Sequence, residues 1–179
     1  MIANVVVLTL VTLQRLGELW LSQRNTRRLL EQGAREHAPG HYPLIVVLHA
    51  AWLLTLWFFA LRRPIHPFWL ALFVLVELAR IWVLASLGPR WTTRIIVLPD
   101  APLVSRGPYR WINHPNYVVV IAEIAVLPLV FGLWQAALVF SLLNAAVLTI
   151  RIREENHALS EGTDRRRNSR PFRTGASAR

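Results

Sequence analysis

The sequence has no cysteine and no lysine. The first absence excludes a disulfide scaffold, a cysteine-ligated zinc site and a cysteine nucleophile. The second leaves all 20 basic residues as arginine. No fold requires that; the codon bias of a GC-rich genome would produce it. Charge is also scarce: 17% of 179 residues, against about 25% in soluble domains. Hydrophobic residues make up 54% of the chain, and mean hydropathy is +0.38. That balance excludes a disordered chain and an ordinary water-soluble globule. The net charge is +10, with a pI near 11.6. Such a pI would suit a nucleic-acid partner. Here, however, the arginines sit between and after apolar runs, where a cytoplasmic membrane face needs them, and no nucleic acid is expected.

What is abundant is long apolar sequence. Crossing a bilayer core of about 30 Å takes roughly 20 apolar residues. Residues 1–21, 43–61 and 67–87 each meet that order, and 117–150 exceeds it. The last run is too long for one span, and splitting it at Phe131-Gly132-Leu133 gives a hairpin of two helices. The expected fold class is therefore all-α: a polytopic membrane protein with about five transmembrane helices, the last two a hairpin. The first run has no basic stretch before it and no Ala-x-Ala site after it, so it reads as a retained helix rather than a cleaved signal.

Arginine placement predicts orientation. Residues 22–42 carry Arg24, Arg27, Arg28 and Arg35, and residues 88–116 carry Arg90, Arg94, Arg106 and Arg110. The tail from 151 carries eight more, whereas the loop at Arg62 and Arg63 carries two. This puts the N-terminus outside and the tail in the cytoplasm, in a bacterial inner membrane. Trp20, Trp69, Trp91 and Trp134 fall at helix ends, as an aromatic belt would place them. Most prolines lie at or between helix ends; Pro128 predicts a kink in the fourth helix. Residues 1–159 read as the membrane domain and 160–179 as a basic, disordered tail beside anionic lipid.

Charges inside the apolar runs are expensive. Arg15 and Glu18 lie three apart, as do Glu77 and Arg80, so each pair can neutralise itself on one helix face. Glu123 has no local partner; it either lines a polar cavity or anchors an arginine from another segment.

Residues 88–117 are too long and proline-rich for a simple connector. Ser105-Arg106-Gly107-Pro108-Tyr109 reads as a turn. Asn113 or His114 can cap the next helix, with Pro115 at its first position, and the helix start can face an anion. At the far end of the last helix, Arg151 and Glu155 are spaced i,i+4 and share a face. His114 and His157 alone are too little for a metal site, and none is expected.

These residues resemble the isoprenylcysteine carboxyl methyltransferase family of integral membrane enzymes. The pattern is Leu103-Val104-Ser105-Arg106-Gly107-Pro108-Tyr109, then His114-Pro115-Asn116-Tyr117, a hydrophobic hairpin, and Arg151-Ile152-Arg153-Glu154-Glu155. Asn113 stands where the family commonly has arginine. The resemblance implies methyl transfer from S-adenosylmethionine in a pocket facing the cytoplasm. It makes Ala101, Pro102, Leu103, Val104, Tyr109, His114, Pro115, Asn116, Tyr117 and Glu155 cofactor contacts, and Arg151 the catalytic residue nearest the reacting group. Arg90-Trp91-Thr92-Thr93-Arg94 and His41-Tyr42-Pro43 look like the short bacterial members that resemble alkylpyrone and alkylresorcinol O-methyltransferases. The expected acceptor is therefore such a lipid or a prenylcysteine carboxylate, and a neighbouring polyketide synthase is the partner that would make the former. Phospholipid N-methylation and a non-enzymatic membrane scaffold are the alternatives.

Overall fold

The computed structural model describes residues 1–37, 40, 42–99, 101, 102 and 104–168, with side chains as far as Glu154. Five helices carry the architecture: α1 (Ile2–Glu31), α2 (Tyr42–Phe59), α3 (Pro67–Leu87), α4 (Pro115–Val130) and α5 (Trp134–Asn168). Two short strands, β1 (Arg35–His37) and β2 (Ile95–Val97), pair antiparallel with Glu36 opposite Ile96.

Four of the helices are long and apolar enough to cross a membrane. The fifth, α4, has 16 residues, about 24 Å at 1.5 Å each. It does not need to face lipid, because it lies packed against α3 and α5. Tyr117, Val119, Val120, Glu123, Ile124, Val126, Leu127 and Val130 are all buried, a broad face covering about half of the helix, while Val118 and Ile121 on the other side are exposed. The core it enters holds Leu8 and Val11 from α1, Trp52 and Leu56 from α2, and Phe73 from α3. The outer surface is apolar instead: Leu10, Phe58, Phe59, Leu75, Ile81 and Leu142 are exposed. A large apolar exterior is what a chain dissolved in bilayer presents. The protein is an all-α polytopic membrane protein.

The hairpin forms where expected. Gly132 takes φ +67° between α4 and α5, a left-handed conformation glycine adopts freely. Pro128 sits in the last turn of α4, and the carbonyl of Pro128 accepts from the Phe131 and Leu133 amides. It therefore closes the helix rather than kinking its middle. A second difference is α1, which runs ten residues past the expected boundary at 21, so Arg24, Arg27 and Arg28 ride on helix rather than loop. No glycine or proline interrupts residues 18–31, and nothing in that stretch ends a helix before Gly33. The small β1–β2 sheet was not legible in the sequence, since three residues carry no periodicity. Residues 160–168, expected in the tail, continue the backbone of α5, and 169–179 lie outside the described residues.

The connection from α3 to α4 is held down on α3. The Arg106 guanidinium donates through Nε to the Ser86 carbonyl at 2.7 Å. Gly107 has φ +58°, and a Cβ there would collide with Ser86 Oγ and press on Trp82 Nε1. Gly107→Ala should therefore cost about 2–4 kcal/mol, from left-handed strain plus overpacking. Thermal unfolding of the purified variant in detergent checks this; a melting temperature equal to that of the parent would remove Gly107 from the packing argument.

Candidate active site

Buried polar contacts tie α1 to the segment that follows α3. Asn25 donates to the carbonyls of Trp91 at 2.8 Å and Gly88 at 3.3 Å. One turn earlier, Ser22 Oγ accepts from the Thr93 amide at 2.8 Å and pairs with the Thr93 hydroxyl at 2.7 Å. Thr93 is thereby fixed, and its carbonyl accepts from Arg151 Nη1 at 2.6 Å. Arg151 Nε donates to the Tyr117 hydroxyl at 3.0 Å, and the guanidinium carbon lies 5.6 Å from the centre of that ring. The Tyr117 ring stacks on His114 at 5.2 Å with a 16° tilt. His114 is the N-cap residue of α4, with Pro115 at its first turn, as the sequence implied. Asn116, beside them, accepts from Trp91 Nε1 at 3.4 Å.

These residues close one end of a cavity of about 250 Å³ sunk among the helices. Asn116, Tyr117, Thr93 and Arg151 line that end. Ile45, Trp52, Leu53, Val120 and Leu148 make apolar walls. Leu16 of α1 and Val46 of α2 line the cavity yet are exposed on the outer face, so it opens sideways between these helices. Arg151 is 7% exposed. Among the described residues no carboxylate pairs with it. A buried cation lining a cavity suits an anionic or strongly polar guest.

Of the sequence-derived site residues, Asn116, Tyr117 and Arg151 come together here, with His114 behind Tyr117 and Pro115 starting α4. Val104 lines a separate crevice of about 440 Å³ with Leu29, Pro89 and Arg106. The carbonyl of Pro102 accepts from Arg90 Nη1 at 2.5 Å. Ala101 lies in the same loop, and Tyr109 is half-buried in the helical turn Gly107–Arg110. Leu103 and the Glu155 side chain lie outside the described residues. Thr93, Tyr42, Trp91, His49 and Asn144 also line the cavity and were not singled out as site residues. The available signal was a polar residue inside an apolar run, as at His49 and Asn144.

Deeper in the bundle the isolated charges form one cluster. Glu18 accepts from Arg80 at 2.7 and 2.6 Å and from Arg15 at 2.9 Å. Glu123 takes Arg15 at 2.8 Å and Arg80 at 3.1 Å. Glu77 accepts from Gln14 at 2.5 Å. The Arg15–Glu18 pair forms as expected, and Glu123 anchors arginines from two other helices. The expected Glu77–Arg80 pairing does not hold, because Arg80 reaches two carboxylates across the bundle and makes a bidentate contact with one of them.

The family profile for the isoprenylcysteine carboxyl methyltransferase (ICMT) family matches residues 69–161. A Bacillus subtilis (strain 168) protein, "Uncharacterized protein YpbQ", is 38% identical over 160 residues, covering 87% of this chain and 95% of its own. A Haemophilus influenzae protein, "Uncharacterized protein", is 24% identical over 152 residues, covering 82% and 88%. No solved structure matches. The family match covers α3 to α5, which include His114, Tyr117 and Arg151, while the Bacillus relative covers most of the chain. The chain belongs to the isoprenylcysteine carboxyl methyltransferase family and is a membrane methyltransferase.

Proposed function

We propose that the protein transfers a methyl group from S-adenosylmethionine to an oxygen of a lipophilic acceptor, an alkylpyrone- or alkylresorcinol-like lipid. The observation that supports this most is Arg151: a buried guanidinium, braced by Tyr117 and Thr93, at the closed end of a cavity that opens to lipid. Its residues suit both substrates. The stacked His114–Tyr117 pair, the Asn116 amide and the start of α4 fit a ligand with an aromatic base and a carboxylate. The apolar walls and the opening between α1 and α2 fit a head group whose tail stays in hydrocarbon.

When bound, S-adenosylmethionine supplies an electrophilic methyl on a sulfonium. With the acceptor bound as its oxyanion, the hydroxyl proton already given up to water, the cofactor would supply the methyl for the new O–CH₃ bond as its S–CH₃ bond breaks, and the two opposite charges would cancel. Arg151 holds that oxyanion in line, and alignment is the main requirement of such a displacement. Arginine stays charged and has no proton to release, so its part is electrostatic. Water is kept away by Trp52, Val120 and Leu148. We further propose that residues 1–159 form the catalytic unit and that the basic tail beyond it lies at anionic lipid. The site then faces the cytoplasm of a bacterial inner membrane, because arginines crowd that end of the bundle and only Arg62 and Arg63 mark the other.

Purified protein in nanodiscs, given labelled cofactor and in turn an alkylresorcinol, a prenylcysteine and phosphatidylethanolamine, tests this. Label should appear in the alkylresorcinol as an ether. No cofactor binding by folded protein, or transfer only to phosphatidylethanolamine, would overturn the proposal. Glu155→Ala should weaken cofactor affinity about tenfold or more through the loss of a charged acceptor. An unchanged dissociation constant would remove Glu155 from the site.

A further inference from the structure

The cavity has a second polar level that the transfer step does not use. Asn144 of α5 is 2% exposed and lines the cavity. Among the described residues its amide makes no hydrogen bond. Buried amides are nearly always paired, and an unpaired one needs an explanation. Across the cavity, His49 of α2 also lines the wall. Its Nδ1 is 2.8 Å from the Ile45 carbonyl. A carbonyl only accepts, so Nδ1 carries the hydrogen, and in the neutral ring Nε2 is the acceptor.

The two residues share a depth. Asn144 precedes Arg151 by seven residues on α5, about 10 Å along the axis. His49 follows Tyr42 by seven on α2, and the Tyr42 hydroxyl lies 3.5 Å from Thr93 Oγ1, at the level of Arg151. Side chains on a helix lean toward its N-terminus, so Arg151 and Asn144 lean the same way and keep their axial offset, the longer Arg151 side chain reaching across part of it. The charged cluster of Arg15, Glu18 and Arg80 lines the cavity at the same depth from the α1 and α3 side, since Arg15 precedes Ser22, which holds Thr93, by seven residues. An alkyl chain gains nothing from those charges, so the tail leaves between α1 and α2.

We infer that Asn144 and His49 bind a second oxygen function of the methyl acceptor, on the opposite edge of the ring from the oxygen held by Arg151. This rests on the methyltransferase reading above and narrows it. The amide can donate to a carbonyl or accept from a hydroxyl, and His49 Nε2 accepts from a hydroxyl. A ring bearing two oxygens satisfies both levels. An acceptor with one oxygen leaves the Asn144 amide unpaired and is bound more weakly, because a site built to hydrogen-bond a group rejects the analogue lacking it.

The test compares a 5-alkylresorcinol with the 3-alkylphenol of equal tail length, in nanodiscs, for the parent, Asn144→Leu and His49→Phe. The parent should prefer the resorcinol by about tenfold or more in kcat/KM. Asn144→Leu should raise KM for the resorcinol toward that for the phenol. It should leave kcat and cofactor affinity within about twofold and lower the phenol's KM, since the amide that the phenol leaves unpaired is gone. His49→Phe should do the same to a smaller degree. Binding is read independently of turnover through quenching of Trp52 and Trp91, which line the cavity. Equal quenching affinities for the two lipids in the parent would overturn the inference, as would an unchanged preference in folded Asn144→Leu. A parent that distinguishes the lipids by quenching but methylates neither keeps the recognition level and sinks the methyltransferase reading instead.

Discussion

Arg151→Ala should lower methyl-transfer turnover by roughly 100-fold or more, the scale seen when a preorganised charge at a reacting oxygen is removed. Cofactor affinity should stay within a few-fold, because His114, Asn116 and the start of α4 are untouched. The split follows from the geometry. The guanidinium spends Nε on the Tyr117 hydroxyl and Nη1 on the Thr93 carbonyl, and among the described residues Nη2 has no partner, so it can serve a guest in the cavity. Arg151→Lys should recover little. An ammonium is a point charge on a flexible stem, with all its donors on one nitrogen, and does not reproduce the spread of a planar guanidinium that braces through Nε and Nη1 at once. Tyr117→Phe removes one brace and leaves the charge, so it should cost less than the alanine variant and act mainly on kcat. Single-turnover measurements with saturating labelled cofactor check all three variants. Normal turnover by Arg151→Ala would remove this residue from the chemistry, and a matching loss of cofactor affinity would move it to the nucleoside side of the site.

How much of this was readable beforehand depends on the range of the interaction. Helix number and the hairpin at Gly132 were legible because twenty apolar residues and a glycine between two such runs are local signals. The cap at His114-Pro115 was legible for the same reason. The extent of α1 was not: arginines suggested a loop, yet arginine is a good helix former and nothing after residue 21 stops the helix. The Arg151 contact set was half legible. Its residue type and its place just past the last apolar run stood out, but its partners Thr93 and Tyr117 lie 58 and 34 positions away. Ser22, which fixes Thr93, and Asn25, which holds the Gly88 and Trp91 carbonyls, are ordinary polar residues in an arginine-rich stretch and gave no sign of their role. Glu77 shows how local spacing can mislead. Its i,i+3 arginine lies within reach, but Arg80 finds Glu18 in a bidentate arrangement across the bundle. Inside a membrane the alternative to pairing is an unsolvated charge, so long-range geometry outweighs a weak local contact.

That cluster carries the second large expected effect. Arg80→Met should destabilise the protein by about 3–5 kcal/mol, the cost of removing one partner from a buried ion pair. Three glutamates (Glu18, Glu77 and Glu123) face two arginines (Arg15 and Arg80), so the variant leaves three carboxylates to Arg15 and Gln14. Methionine replaces most of the volume, so the loss is electrostatic rather than a cavity. The test is a cycle of Arg80→Met, Glu18→Gln and the double variant, followed by thermal unfolding in detergent. Glu18→Gln alone should cost less, because it leaves two carboxylates facing two arginines and Glu123 still holds Arg80 at 3.1 Å. The double variant should be more stable than Arg80→Met, since it removes the charge that the single change strands. If the two losses simply add, Glu18 and Arg80 are not coupled, and the cluster is a set of separate contacts rather than the polar pin that joins α1, α3 and α4 beside the cavity.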